Sequence, residues 1–246
     1  MKETVVNDQL VKFESVGLGQ SAIIFLHGWR SESSVWKNLA KNLPSREFMS
    51  YLIDLPGFGE SPAPKVAFGV QDYARLVNNF AEKQGVKSAI IVGHSFGGRI
   101  GIVLAAKYPD LVGKLVLVDS AGIKKEYPGR EKMAKIVKPL FKPKFMHGLR
   151  QKIYKRIGSE DYLATPALTE TYLKVINQDL TSELSKIVQP TLLIWGADDV
   201  ATPVSDAKIM KEKINNSKLE ILEHAGHFSF LDQPEKFRRI FENYIK

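Results

Sequence analysis

Hydrophobic positions along this chain follow two alternating rhythms. Short, mostly β-branched runs of strand length occur at Ala22–Leu26 (AIIFL), Phe48–Ile53, Ser88–Val92 (SAIIV), Lys114–Val118 (KLVLV), Thr191–Trp195 (TLLIW) and Leu219–Leu222. Between them lie segments of helix length: Ser34–Asn42, opened by serines that suit a helix cap and followed by Pro44, then Val70–Gln84, Gly97–Lys107, Val204–Ile214 and Pro234–Ile245. In the second of these, Val70, Tyr73, Ala74, Val77, Phe80 and Ala81 recur at helical spacing. Continuously apolar strands predict a sheet covered on both faces, and their alternation with helices predicts that most strands run parallel. Near the start, Glu3–Val6 and Leu10–Glu14 flank Asn7-Asp8, a good hairpin turn, which adds an antiparallel pair. The expected fold class is α/β, with a mostly parallel eight-stranded sheet flanked by helices.

The rhythm stops between Ala121 and Gln189, where the chain is helix-biased and punctuated by Pro128, Pro139, Pro143 and Pro166. This predicts a helical insertion over 123–186 in a core made of 1–122 and 187–246. Charge changes at the same place. The formal net charge is +8, but Ile123–Lys186 holds 14 Lys and Arg against 7 Asp and Glu, while the remainder holds 21 against 20. Lys124–Arg156 alone carries 12 basic residues against Glu126 and Glu131. Such a surface is either a solvated helical face or an attractor of an anionic substrate. No nucleic-acid-binding motif accompanies it, so no nucleic-acid partner is expected. The chain has no cysteine, which excludes disulfides, thiolate metal sites and a thiol nucleophile. No apolar run approaches the roughly 20 residues of a membrane span. The opening stretch, MKETVVNDQL, lacks the apolar segment of a signal peptide, and a cytoplasmic protein is expected.

Candidate chemistry concentrates at strand ends. Gly93-His94-Ser95-Phe96-Gly97 follows SAIIV and precedes a helix, the context in which G-x-S-x-G forms a sharp turn with the serine at its apex. Glycines on either side remove Cβ atoms that would collide. A serine hydroxyl needs a base. His227 is the candidate, on the loop after the last strand and preceded by Gly226, with His224 as a nearby competitor. The imidazole needs an orienting carboxylate. Asp198 and Asp199 follow TLLIW, and Asp119 ends KLVLV. One aspartate of the 198–199 pair is expected to make a local turn or helix cap. Two oxyanion donors are also needed; Phe96 N–H follows the nucleophile, and Trp29 N–H lies in Leu26-His27-Gly28-Trp29 after AIIFL.

These motifs together resemble the α/β-hydrolase superfamily over nearly the whole chain: LHGW (26–29), DLPGFGES (54–61), GHSFGG (93–98), LLIWGADDVATP (192–203) and HAGHFSFLDQPEKF (224–237). The resemblance implies the α/β-hydrolase fold with Ser95 as nucleophile, Asp199 as the acid, since it closes the G-x-x-D pattern, and His227 as the base. It implies Trp29 and Phe96 as oxyanion donors, residues 123–186 as a cap over Ser95, and chemistry that requires no metal or organic cofactor. Epoxide hydrolases and haloalkane dehalogenases of this superfamily use aspartate at the position of Ser95, so the resemblance points instead to a serine hydrolase of a small ester or carbonyl compound. Arg99 makes the motif similar to the SxGGR of menaquinone-pathway lyases, whose arginines bind substrate carboxylates; with the basic insertion, this brings C–C cleavage or a lyase reaction on an anionic substrate into view. Arg99 and Phe228 are thus candidate substrate-binding residues, although ring-cleavage C–C hydrolases typically have Trp where Phe228 stands. A ligand receptor of the same fold is a further reading. Phe141, Phe145 and Tyr154 join Trp29, Phe96 and Phe228 as candidate pocket aromatics.

Overall fold

The computed structural model describes residues 1–124 and 165–246. Eight strands, β1 (Lys2–Val6), β2 (Gln9–Gly17), β3 (Ser21–Leu26), β4 (Phe48–Ile53), β5 (Ala89–His94), β6 (Val112–Val118), β7 (Thr191–Gly196) and β8 (Ser217–Leu222), form one sheet in the order β1-β2-β4-β3-β5-β6-β7-β8. β2 runs antiparallel to β1 and β4, and the pairings from β4 through β8 are parallel. The expected eight-stranded, mostly parallel sheet is therefore present. Asn7 and Asp8 both take positive φ (49° and 61°), as a two-residue turn matched to strand twist requires.

Helices α1 (Lys37–Asn42), α2 (Val70–Lys83), α3 (Phe96–Lys107), α4 (Thr169–Asn177), α5 (Thr181–Leu184), α6 (Val204–Lys213), α7 (Ser229–Asp232) and α8 (Pro234–Ile245) complete the described fold. Successive strand residues supply opposite faces of the sheet. Ile24 and Leu26 join the cluster built with Tyr73, Val77 and Phe80 of α2 and Ile100 and Val103 of α3. Ile23 and Phe25 join the other, with Trp36, Phe237 and Phe241. Leu180 and Leu184 are buried in the α2–α3 cluster, and Leu180 N–H donates to the Gly122 carbonyl.

The segment expected to be one serine-capped helix differs. Ser33–Trp36 is a 3-10 turn leading into α1, and neither start has a side-chain cap. Ser34 Oγ instead donates to Glu32, and Ser33 N–H donates to Asp54 Oδ1 (2.8 Å), a carboxylate from the loop after β4. A tertiary acceptor has replaced the local one. The four-residue helix α7, directly after His227, has too short an apolar pattern to be read from sequence.

Ile24 is fully buried between β4 and β5. Ile24→Ala should cost about 2–5 kcal/mol of stability, read from denaturant unfolding; a change within about 0.5 kcal/mol, as at a surface position, would contradict this packing.

Candidate active site

β5 ends at His94 and α3 begins at Phe96, leaving Ser95 alone to turn the chain. Its backbone pays for this with φ 51° and ψ −107°, a conformation that costs a non-glycine residue about 1–3 kcal/mol. Contacts on both sides hold it. Cβ atoms at Gly93 or Gly97 would overlap the Gly97 carbonyl and the Leu26 carbonyl respectively. Ser95 N–H donates to Val118 O at 3.0 Å, and its carbonyl accepts from Ala121 N–H at 3.1 Å. The turn is thereby fixed against the ends of β3 and β6, and Ser95 Oγ stands at the carboxyl edge of the sheet.

Two loops from further along the chain meet that hydroxyl. His227 Nε2 lies 3.0 Å from Ser95 Oγ, and His227 Nδ1 lies 2.9 Å from Asp199 Oδ2. A carboxylate accepts, so Nδ1 carries the proton and Nε2 presents its lone pair to the serine. Asp199 has two jobs. Oδ1 accepts the N–H groups of Ala201 and Thr202 in a local turn, and Oδ2 faces His227 and accepts from Thr202 Oγ1 at 2.7 Å. Burial pushes the Asp199 carboxyl up, but the hydrogen bonds from His227 and Thr202 outweigh it and hold the group below its ordinary value. The local turn expected of one aspartate of the pair is made by Asp199, which also faces His227, and Asp198 is exposed. His224 is also exposed, and Asp119 serves another purpose.

The neighbouring histidines are tied down. His94 Nε2–H donates to the His227 carbonyl at 2.7 Å, and its ring lies 4.9 Å from the His227 ring. Burial lowers its pKa to about 3, so it stays neutral. His27 Nδ1–H donates to the Gly28 carbonyl, and its Nε2 accepts from Leu55 N–H at 3.0 Å. Burial lowers its pKa to about 4. The Gly28 carbonyl also accepts from Ser31 N–H. In a planar trans peptide this carbonyl and the Trp29 N–H point in opposite directions, so tying the carbonyl aims the N–H away from His27. Gly28 lies against Ser95, with a built Cβ 3.5 Å from the serine Cβ. Neither Trp29 N–H nor Phe96 N–H has an acceptor among the described residues.

Around these groups stands an aromatic wall. The Trp29 ring packs against Phe58, Phe96 and Tyr172 at centroid distances of 4.8, 5.3 and 5.2 Å. Phe228 packs on His94 (4.8 Å) and remains 39 % exposed. Arg99 is 8 % exposed, and one guanidinium nitrogen donates to the Gln178 carbonyl at 2.8 Å. Among the described residues no carboxylate lies within ion-pairing distance of it. Desolvation lowers its pKa to about 10. Phe141, Phe145, Tyr154 and the basic stretch after Lys124 lie outside the described residues. Among the described residues no cluster of His, Asp and Glu is arranged to hold a metal, and no helix is long and apolar enough to cross a membrane.

Thr202, Ser229 and His94 lie inside the motifs, but their roles became visible only through tertiary contacts, and Asp119 changed role. Asp119 is fully buried; Oδ1 accepts Gly196 N–H at 2.8 Å, and Oδ2 accepts Ser229 N–H and Oγ–H at 3.0 and 2.6 Å. Burial pushes its pKa up to about 7 against these donors.

The family model described as alpha/beta hydrolase fold matches residues 21–152 and 128–234, and the chain belongs to that family. It is 28 % identical over 256 residues to a pimeloyl-[acyl-carrier protein] methyl ester esterase of Nitrosomonas europaea, covering 94 % of this chain and 98 % of that one. It is 24 % identical over 261 residues to a 2-hydroxy-6-oxononadienedioate/2-hydroxy-6-oxononatrienedioate hydrolase of Burkholderia vietnamiensis, covering 96 % and 91 %. The solved esterase of Exiguobacterium antarcticum superposes with a TM-score of 0.79 at 21 % identity, covering 99 % of this chain and 98 % of that one, a likeness of fold.

Because folding lowers the pKa of Asp199, this carboxyl adds stability that is complete above its ordinary value of 3.8 and is lost as pH falls through the lower folded value. Asp199→Asn should therefore lose less stability than the parent between roughly pH 5 and pH 2, measured by denaturant unfolding across that range. Parallel curves for the two proteins would refute the pairing.

Proposed function

We propose that this alpha/beta hydrolase is a serine hydrolase that cleaves a carboxylic ester or related small carbonyl substrate through an acyl-enzyme. One observation carries the reading: the unbroken hydrogen-bonded chain from Ser95 Oγ through the His227 ring to Asp199 Oδ2. His227 Nε2 takes the hydroxyl proton as Ser95 Oγ attacks the carbonyl carbon. Asp199 holds the tautomer and stabilises the imidazolium that results. The Trp29 and Phe96 N–H groups receive the developing oxyanion, a contribution of roughly 3–4 kcal/mol for each such donor. His227 returns the proton to the leaving group, then activates the water that releases the acyl group. The insertion over 123–186 acts as the lid; support comes from Tyr172 against Trp29 and Leu168 against Gly57. The esterase of Nitrosomonas europaea is a relative with this type of chemistry in its name.

A second reading, C–C hydrolysis or a lyase reaction on a carboxylated substrate, is favoured by Arg99. A guanidinium buried with one carbonyl for a partner retains donors suited to an incoming carboxylate. Phe228 would then flank the bound substrate. The dienedioate hydrolase relative points the same way.

Ser95→Ala should lower kcat on p-nitrophenyl acetate by about 10⁴- to 10⁶-fold and abolish labelling by a fluorophosphonate. Turnover and labelling at wild-type levels would refute Ser95 as nucleophile. Arg99→Gln separates the two substrate classes. It should raise KM for carboxylated dienones by about tenfold or more, a loss of at least one charge-assisted hydrogen bond, and affect neutral esters less. An equal effect on both classes would count against the anionic reading.

A further inference from the structure

We propose that Asp119 is a positioning residue that sets the spacing between the loop bearing Asp199 and the loop bearing His227; this rests on the serine-hydrolase reading above. Asp119 sits where β6 ends, beside β7, and its φ of 44° turns the backbone out of the strand. Its N–H donates to Ile194 O (3.0 Å), which continues the contact between the two strands to their tips. The two carboxylate oxygens then divide. Oδ1 holds the N–H of Gly196, three residues before Asp199. Oδ2 holds the N–H and hydroxyl of Ser229, two residues after His227. The Asp119 carbonyl lies 3.0 Å from Thr202 Oγ1, the hydroxyl that donates to Asp199 Oδ2 and lies 3.3 Å from His227 Nδ1. One buried side chain thus fastens both halves of the acid–base pair to a single strand end.

All three groups facing the carboxylate are donors, so two acceptor oxygens are what the site requires. An amide in their place turns an NH₂ toward an N–H and releases one of the loops. The two loops also touch through backbone bonds, Asp198 N–H to Ala225 O and Ala197 N–H to Leu222 O (both 2.9 Å), but these lie on the side of the loops before His227, whereas His94 Nε2–H to the His227 carbonyl and Gly226 N–H to Asp232 do not reach the Asp199 loop. Asp119 adds a side-chain link that reaches the residues after His227. A displacement of about 1 Å in a reacting pair costs on the order of 10²-fold in rate, and substrate contacts are left in place, so the effect falls on kcat and not on KM.

The test uses the full chain and p-nitrophenyl acetate, with active sites counted by fluorophosphonate titration. Asp119→Asn should lower kcat per active site about 10- to 100-fold with KM within about threefold. Ser229→Ala, which removes one of the three bonds and leaves the carboxylate in place, should lower kcat by a smaller factor. The double variant should be no slower than Asp119→Asn alone, because both substitutions cut the same link. Unchanged kcat per site in both single variants would overturn the proposal, even if the melting temperature fell. If Asp119→Asn does not fold, Ser229→Ala with wild-type kcat overturns it. Wild-type turnover in Ser95→Ala, run alongside, would instead remove the hydrolase reading on which the proposal rests.

Discussion

Gly93 and Gly97 touch backbone atoms where a methyl group would collide, and that close approach governs how the start of α3 meets the ends of β3 and β5. It permits the sharp turn that puts Ser95 at positive φ. The strain is affordable because a sheet buried on both faces surrounds it: β5 is central, paired with β3 and β6, and apolar clusters cover it from both sides. Move α3 outward by the width of a side chain and Ser95 no longer reaches His227. The packing of the core and the geometry of the candidate site are in this sense one constraint.

Around that turn the polar groups form a layered arrangement. Ser95, His227 and Asp199 make an inner chain, and Thr202, Ser229, His94 and Asp119 hold its members from behind. Buried polar groups are costly unless satisfied, and satisfied ones select a single geometry. Here that selection fixes tautomers. The Asp199 carboxylate on one side of His227, with the His94 and His27 rings tied back elsewhere, leaves the His227 Nε2 facing the Ser95 hydroxyl. Burial keeps the two supporting rings neutral, so they hold loops in place without competing as bases.

Arg99 follows a different logic. It sits one turn into α3, reaches the carbonyl of Gln178 beyond α4, and forms no ion pair among the described residues, though the Asp179 carboxylate lies near enough to act on it. A buried cation with a neutral partner is poorly compensated, and a substrate carboxylate would relieve that imbalance.

Most of the architecture was legible along the chain because it depends on local periodicity. Apolar runs gave most strands within a residue or two, β2 running three residues further than its apolar pattern, helical spacing marked α2, and the glycines of the GHSFG turn announced the bend at Ser95. The sequence by itself therefore determined the class of sheet, its strand content and the residue types at its carboxyl edge. Spacing alone left Asp119, Asp198 and Asp199 open, and only the resemblance singled out Asp199, while the glycine before His227 favoured it over His224. Where each of these side chains stands relative to the others depends on strand order and register. Asp199 turns back under Thr202 to face His227, Asp198 points to solvent, and Asp119 is enclosed between Gly196 and Ser229. The tertiary structure also moved the cap of the segment after Ser33 from its own serines to Asp54. Such choices depend on distances between residues tens to more than a hundred positions apart, and those distances exist only once the strands have paired.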